Sequence, residues 1–256
     1  MDLQLSGKKA LVLGGSRGLG RGIATALAGE GARVAILSRN PDSVTRAASA
    51  IGAIGLVADV ANRTALLAAA EDADKQLGGI DILINSSGGP PPSTALRVPT
   101  EVWATQFEAM VLNIFALSDL LIPRMRARKW GRVMTITSSG IIQPIPTIGV
   151  SNALRGALAA WSKTVAGEVA PDGVTVNILA PGRIDTDRVK SLDEANARKD
   201  GVDLNEARRR SVADIPMGRY GTIEEFGAVA AFLASPLAAY VTGSIIRIDG
   251  GLIRSI

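Results

Sequence analysis

Short apolar runs alternate with longer stretches of helical spacing along most of the chain. The runs have strand length and lie at residues 9–13, 33–37, 55–58, 82–84, 132–137, 174–179 and 245–248. Between them, apolar residues recur on one helical face, as with Leu154, Leu158 and Trp161. Strands that alternate with helices join through right-handed crossovers into a parallel sheet covered on both faces. The pattern predicts a single α/β domain over residues 1–256, a doubly wound, Rossmann-like sheet of seven parallel strands.

One charged stretch, residues 183–219, has no clean periodicity. Segments of that length without secondary structure are usually functional lids or disordered. We therefore expect a lid at about 183–219 and, because no linker divides the chain, no second domain.

Composition narrows the class of protein. The chain is 47% hydrophobic but only 4% aromatic, as expected of a parallel-sheet core built from Ala, Val, Ile and Leu. The net charge is +4, but the basic residues are scattered, and the run 208–210 lies among acids, so no nucleic-acid partner is expected. No apolar run approaches 18 residues and no signal-like segment opens the chain, so we expect a cytoplasmic protein without a membrane partner.

The residue types that are missing exclude several chemistries. The chain has no cysteine, which excludes disulfides, thiol nucleophiles and thiolate metal sites. It has no histidine, the commonest acid–base residue and metal ligand. No metal site is therefore expected.

A glycine-rich turn follows the first predicted strand and opens the first predicted helix. Gly14, Gly18 and Gly20 allow a tight turn and a close backbone approach to a pyrophosphate. A plain structural turn is the alternative, because glycine serves such turns too. The position at the first strand–helix junction favours nucleotide binding.

The spacing Gly-x-x-x-Gly-x-Gly resembles the short-chain dehydrogenase/reductase family, and the resemblance continues along the chain. Asp59-Val60 resembles the pair that meets adenine, and 85–88, Asn-Ser-Ser-Gly, resembles the Asn-Asn-Ala-Gly segment after the fourth strand. Residues 181–186, Pro-Gly-Arg-Ile-Asp-Thr, resemble the turn beside the nicotinamide, and 248–251 resemble the last strand. The overall pattern is nearest to the β-ketoacyl-acyl-carrier-protein-reductase-like branch, as a divergent member.

The residue types at the end of the second strand indicate whether NAD or NADP is bound. A carboxylate there accepts from the ribose 2′-hydroxyl of NAD, whereas cations suit the 2′-phosphate of NADP. The chain has Ser38 and Arg39 there, with Arg17 in the glycine turn, so NADP(H) is expected rather than NAD(H). The alternative is that Arg39 is a solvated loop charge. The expected cofactor-binding residues are Gly14, Ser16, Arg17, Gly18, Leu19, Gly20, Ser38, Arg39, Asp59, Val60, Asn85, Gly88, Arg155, Pro181, Gly182, Ile184 and Thr186.

The catalytic positions depart from the family pattern, which uses Asn, Ser, Tyr and Lys. The Ser position is Ser138, but the Asn position holds Met110. The Tyr-x-x-x-Lys pair is replaced by Ser151 and Arg155. A serine hydroxyl is shorter and far less acidic than a phenol, and an arginine stays protonated, so the standard Tyr/Lys mechanism is excluded.

No other proton donor stands out. Tyr220 and Tyr240 are expected to be structural, and Asp185 and Asp187 resemble solvated caps more than general acids. Two hypotheses remain. The first, preferred because the cofactor motifs survive, is an NADP(H)-dependent carbonyl/alcohol oxidoreductase that uses water or Ser138 as its acid. The second is a noncatalytic nucleotide- or ligand-binding member that acts as a sensor or assembly partner; the small-molecule substrate or ligand is not readable from the sequence.

The segments near 101–127 and 149–170 carry more apolar positions than one sheet-facing stripe needs. Met110, Phe115, Leu121 and Trp161 illustrate the surplus. A surplus apolar face usually marks a subunit contact, and the resemblance implies pairing through these helices. We expect a homo-oligomer, a tetramer or a dimer.

Overall fold

The computed structural model of the protein describes residues 1–255 and contains a sheet of seven strands, paired in parallel throughout. The strands lie in the order β3-β2-β1-β4-β5-β6-β7. They are β1 Lys9–Leu13, β2 Arg33–Ser38, β3 Ile54–Val57, β4 Ile82–Asn85, β5 Gly131–Ile136, β6 Val174–Pro181 and β7 Ile245–Ile248. The predicted doubly wound parallel sheet is confirmed, with strand ends within two residues of those expected.

Nine α-helices accompany the sheet in the described part of the chain. They are α1 Gly18–Gly29, α2 Pro41–Ser49, α3 Arg63–Leu77, α4 Thr100–Phe107, α5 Asn113–Ala127, α6 Gly149–Val169, α7 Asp187–Asp200, α8 Leu204–Ala213 and α9 Ile223–Ala234. Helices α4 and α5 are joined by a π-helical turn, Glu108–Leu112. The combined segment is long and apolar enough to cross a membrane by length and composition alone. Buried side chains such as Ile114 and Leu117 account for that character, because they pack in the core.

Successive residues of β1 show how the core divides into two layers. Leu11 and Leu13 belong to the cluster under α3, α4, α5 and α6, whereas Ala10 and Val12 belong to the cluster under α1, α2 and α9. The alternation follows from the two-residue period of a strand. Because both faces are covered, the strands read as continuous apolar runs.

Two of the residues chosen to illustrate a surplus apolar face belong to this core. Met110 and Leu121 are buried inside the single chain, so that part of the argument for a subunit contact was wrong. A thick core absorbs them, because α5 packs against the sheet and α3, and the π-helical turn packs against α6. Phe115 and Trp161 are half-buried and stack on each other, with ring centroids 4.6 Å apart.

The segment 183–219 is not an irregular loop, as its lack of periodicity had suggested. It forms α7 and α8, with Thr186 and Asp203 as N-caps whose side chains accept from backbone amides. Both helices are mostly polar and have only a few buried positions, including Val189 and Ala207. A helix without a broad apolar stripe gives little periodic signal, which explains the error.

The strand order reverses beside β1, which has β2 on one side and β4 on the other. Ligands of open parallel sheets bind at the carboxyl ends of strands, at such a switch point. The expected site residues follow the carboxyl ends of β1, β2, β3, β4, β5 and β6. The fold therefore brings them to one edge of the sheet.

Candidate active site

The turn between β1 and α1 is determined by close backbone packing. A Cβ at Gly20 would lie 2.5 Å from the carbonyl oxygen of Gly14, and Gly14 itself adopts φ of +67°. A side chain is therefore excluded at Gly20 and would strain the backbone at Gly14. Helix α1 begins at Gly18 with no acidic residue in its first turn. Its first amides therefore form a suitable anion site.

Hydroxyl groups cluster at the end of β2. The Ser16 Oγ donates to the Ser38 Oγ at 2.8 Å, and the Ser43 hydroxyl lies 3.5 Å from Ser16. Asn40 caps α2 immediately beside them by accepting from the Ser43 amide. Small hydroxyl donors at a helix N-terminus, with no carboxylate at the position of Ser38, suit a phosphate group better than a ribose hydroxyl.

The two cations expected at this cluster, Arg39 and Arg17, have exposed side chains. Arg39 lies 3.8 Å from the Asp59 carboxylate, and both side chains are substantially exposed. Such a pair contributes only about 0–1 kcal/mol, so Arg39 can turn towards a phosphate at little cost. Arg17 is also exposed. The donors at this end of the cleft fit the 2′-phosphate of NADP(H).

The turn after β6 closes the cleft opposite the glycine turn. The Thr186 methyl lies 3.6 Å from the position that a Cβ on Gly18 would take. A Cβ on Gly182 would lie 2.7 Å from the Asp249 backbone, so glycine is required there. Ile184 is buried and pairs with Gly221 in an isolated bridge. These contacts bring Pro181–Thr186 to the cofactor cleft.

Several expected cofactor residues line the same edge. Asn85 is buried, and its Nδ2 donates to the Thr135 hydroxyl at 3.4 Å while its Oδ1 has no partner. Leu19 and Val60 are partly buried against the two core clusters. Asp59 accepts from the Ala61 amide at 2.9 Å, which fixes the turn after β3.

Ser138 stands at the end of β5, half-buried. Its Oγ accepts from the Gly140 amide at 3.0 Å, which leaves its O–H free to donate. A serine with a fixed acceptor bond and a free donor can hydrogen-bond a carbonyl oxygen. Ser139, beside it, is buried.

Ser151 and Arg155 lie one helical turn apart near the start of α6 and contact each other. The Arg155 Nε donates to the Ser151 Oγ at 3.2 Å and its Nη1 donates to the Ile136 carbonyl at 3.1 Å. Its Nη2 donates to the Gly88 carbonyl. Arg155 thus links α6 to the ends of β4 and β5. Burial, and secondarily the nearby charge of Arg188, lower the pKa of Arg155 to about 10, so it remains a cation at neutral pH.

Neither tyrosine supplies a phenol to this group. Tyr220 is buried between α8 and α9 in sequence, and its hydroxyl donates to the Asp193 carboxylate of α7 at 2.8 Å. Burial is the main cause of a raised pKa at Tyr220. Tyr240 is fully exposed in the single chain, so it is not packed as a structural aromatic there.

Met110, at the family's Asn position, lies inside the π-helical turn, and its side chain is buried. Single π turns in α-helices are frequent at functional sites. The next amide side chain, Asn113, is used elsewhere: its Nδ2 donates to the Val60 and Ala61 carbonyls, and its Oδ1 accepts from Arg63. It anchors the helix to the turn after β3.

Two residues in the cleft were not foreseen. The Asn152 Oδ1 is buried without a hydrogen-bond partner, close to Gly140 and thus to Ser138. Arg188, at the start of α7, places its Nη2 3.6 Å from the position that a Cβ on Gly89 would take. Asn152 could have been suspected from its place next to Ser151. No local pattern marks Arg188, because only the fold brings α7 to the end of β4.

Known proteins match this chain over nearly its full length. A family model described as enoyl-(acyl carrier protein) reductase matches residues 14–253. The 3-oxoacyl-(acyl-carrier-protein) reductase FabG of Vibrio cholerae is 33% identical over 254 residues, which cover 98% of this chain and 99% of that protein. The FabG of Escherichia coli is also 33% identical with the same coverage.

Solved structures of similar shape include two reductases. The L-sorbose reductase of Gluconobacter frateurii, in complex with NADPH and L-sorbose, has a TM-score of 0.94 and 31% identity, with all of both chains covered. YwfH, described as an NADPH-dependent reductase involved in bacilysin biosynthesis, has a TM-score of 0.93 and 30% identity. That match covers 97% of this chain and 99% of YwfH.

Proposed function

The chain belongs to the short-chain dehydrogenase/reductase family, and we propose that it is an NADP(H)-dependent carbonyl/alcohol oxidoreductase with an atypical active site. Its solved neighbours include NADPH-dependent reductases. NADPH, when bound, supplies the hydride for reduction of a carbonyl carbon. The protein must then bind the cofactor, orient the carbonyl and allow a proton to reach its oxygen.

The cofactor-binding residues are the set expected from the sequence. The amides of the glycine turn hold the pyrophosphate. Ser16, Ser38 and Arg39 hold the 2′-phosphate, since they offer donors and positive charge without a carboxylate on β2. Thr186 and Ile184 lie beside the nicotinamide end. The hydroxyl cluster at the end of β2 is the structural feature that supports the choice of NADP(H).

Ser138 is the residue we assign to the substrate carbonyl. Its Oγ already accepts from the Gly140 amide, which leaves its O–H available as a donor. Stabilising the negative charge that develops on a carbonyl oxygen is the largest contribution a positioned donor makes. The proton itself comes from water or through the Ser138 hydroxyl.

Ser151 and Arg155 occupy the family's Tyr and Lys positions without restoring their chemistry. The Ser151 Oγ is occupied as an acceptor for Arg155, and its hydroxyl is far less acidic than a phenol. Arg155 stays cationic and positions the cofactor ribose. In this proposal the enzyme does not use the standard Tyr/Lys mechanism, and reduction proceeds more slowly or on a readily reduced carbonyl.

A noncatalytic sensor or assembly partner is the second candidate. The observation that favours it is the placement of both tyrosines, one bonded to Asp193 in the lid and the other fully exposed. We prefer the oxidoreductase because Ser138 retains a free donor at the end of β5.

The two candidates are separated by a titration followed by an assay. Dissociation constants for NADPH and NADH are measured first, and NADPH oxidation is then followed with a panel of aldehydes and ketones. Tighter binding of NADPH with turnover on at least one carbonyl supports the oxidoreductase. Tight NADPH binding without turnover supports the sensor. No binding of either cofactor removes the cofactor assignment and contradicts the oxidoreductase.

We also propose a cytoplasmic homo-oligomer, a tetramer or a dimer, paired through α4, α5 and α6. Phe107 and Leu112 are exposed on this face, and the half-buried Phe115–Trp161 stack lies nearby. Light scattering should give a mass of two or four times 26.5 kDa, and Leu112→Glu should lower it. A mass of one chain for the unmodified protein contradicts the proposal.

A further inference from the structure

Two arginines from different elements converge beside Gly89, just after β4. The Arg155 Nη2 lies 3.3 Å, and the Arg188 Nη2 3.6 Å, from the position that a Cβ on this glycine would take. Arg155 comes from α6 and Arg188 from the first turn of α7. A side chain at Gly89 would crowd the Arg155 guanidinium and would contact that of Arg188.

The two arginines differ in how their donors are used. Arg155 directs three of its five N–H groups to Ser151, Ile136 and Gly88. Arg188 makes no side-chain hydrogen bond or ion pair within residues 1–255. The residue is exposed, and the N–H donors of its guanidinium are available. A guanidinium binds planar anions such as carboxylates through two parallel N–H donors.

No carboxylate of the described residues neutralises the pair. Asp185, three residues before Arg188, accepts from Arg208 at 2.8 Å. Asp193 is buried and accepts from Tyr220. Asp187, next to Arg188 in sequence, forms no ion pair in the part of the chain that the structure describes. Like charges held close together without a counterion are unfavourable, and a bound anion would relieve that repulsion.

We propose that Arg188, supported by the positive charge of Arg155, binds a carboxylate of the substrate, so that the substrates are oxo acids or hydroxy acids rather than neutral carbonyl compounds. The inference rests on the proposed oxidoreductase function. The cofactor phosphates are the other source of an anion. They are assigned to the glycine turn and to the hydroxyl cluster of β2, whereas Gly89 follows β4.

The test compares acids with their neutral esters on the protein loaded with NADP+. The probes are pyruvate, acetoacetate and levulinate, each compared with its methyl ester. The ester keeps the ketone and removes the negative charge. The three acids differ in the distance between the ketone and the carboxylate. Dissociation constants are measured by ligand-observed NMR for the unmodified protein and for Arg188→Gln. Lys190→Gln is the matched control, since it removes an exposed cation two positions further along α7, about 200° around the helix.

At least one acid should bind more tightly than its ester, and Arg188→Gln should reduce that preference about 10- to 100-fold, as loss of a charge-assisted hydrogen bond does. Lys190→Gln should leave it unchanged, and neither variant should alter NADPH affinity. The proposal is overturned if no acid is preferred, or if the preference survives Arg188→Gln. A selective loss of NADPH affinity in Arg188→Gln assigns the anion to the cofactor and also overturns it.

Turnover of the same probes separates this inference from the function on which it rests. If the esters are reduced but no acid is preferred, the oxidoreductase stands and the carboxylate site fails. If acids bind through Arg188 but no probe is reduced, the binding site stands and the reductase fails.

Discussion

The two ends of the cleft use polar groups in different ways. At the cofactor end, the glycines are required by backbone contacts, the serine hydroxyls bond one another, and Arg39 is loosely paired with Asp59. At the reaction end, Arg155 and Arg188 converge without a carboxylate, and the Asn152 Oδ1 is buried without a partner. Unpaired charges and unsatisfied buried groups destabilise a fold. Their presence at the reaction end of the cleft is the reason that we expect the substrate chemistry there.

The comparison also separates the part of the cleft that nucleotide binding in general requires from the part that depends on particular side chains of α6 and α7. The cofactor end needs only small residues and donors at set positions, and its chemistry is that of nucleotide binding in general. The reaction end depends on which side chains α6 and α7 present to the ends of β4 and β5. Variants at the first end should change cofactor choice, whereas variants at the second should change turnover and substrate choice.

Ser138→Ala should produce the largest effect at the reaction end. Removal of one donor aimed at a developing oxyanion costs about 100- to 1,000-fold in kcat, and we expect that range here. The measurement is NADPH oxidation on any carbonyl found to turn over, with NADPH affinity determined in parallel. Affinity should stay unchanged, because Ser138 follows β5 and not the glycine turn.

Ser151→Ala is the matched control for this experiment. Its hydroxyl serves as an acceptor for Arg155, so kcat should change by no more than a few-fold. A loss as large as that of Ser138→Ala would make Ser151 catalytic and would contradict the site as described.

Arg39→Asp should produce the next largest effect, at the cofactor end. An attraction to the 2′-phosphate becomes a repulsion, and the ratio of NADPH to NADH affinity should fall by about 10- to 100-fold. Fluorescence titration with both cofactors measures the ratio. Arg46 is an exposed cation in the last turn of α2. Arg46→Asp is the control and should leave the affinity ratio nearly unchanged. Equal affinities in the unmodified protein would refute the electrostatic argument.

Tyr220→Phe should affect stability rather than chemistry, because its hydroxyl bonds a buried carboxylate of α7. The Asp193 carboxylate is buried, accepts from Tyr220 and lies 3.5 Å from the Arg183 guanidinium. Loss of the donor should lower the free energy of unfolding by about 1.5–3 kcal/mol. Chemical denaturation tests this, with Tyr240→Phe as a control whose exposed ring should change stability by less than about 0.5 kcal/mol.

Activity of the same variant sharpens the comparison of the two ends. A kcat that collapses in Tyr220→Phe while stability is unchanged would identify Tyr220 as the proton donor. The lid would then supply the missing acid, and the assignment of Ser138 would be wrong.

Much of the fold could be predicted, because its determinants are local. The run at β1 matches the observed strand, since a strand buried on both faces is apolar throughout. The run at β7 also matches, although this edge strand is only partly buried. Helices α7 and α8 were missed because they are polar and have few buried positions. Their caps, Thr186 and Asp203, were visible in the sequence but lacked an apolar stripe to confirm them.

The site could be predicted only in part. The glycine turn and Ser38 could be located because they follow strands directly, at spacings set by the backbone. Arg188 could not, since its approach to Gly89 depends on where α7 docks. The use of Met110 and Leu121 as evidence for a subunit contact failed for a related reason, because helical spacing alone does not show how many neighbours a helix has.

Transfer of deuterium from NADPH labelled at the reactive nicotinamide carbon tests the central claim most directly. The protein is incubated with the labelled cofactor and with the same oxo acids and esters, and the products are analysed by mass spectrometry. We expect deuterium in the alcohol product of at least one probe, at a rate that Ser138→Ala lowers and Ser151→Ala leaves nearly unchanged. Tight NADPH binding without deuterium in any product would contradict an oxidoreductase and would support the noncatalytic sensor.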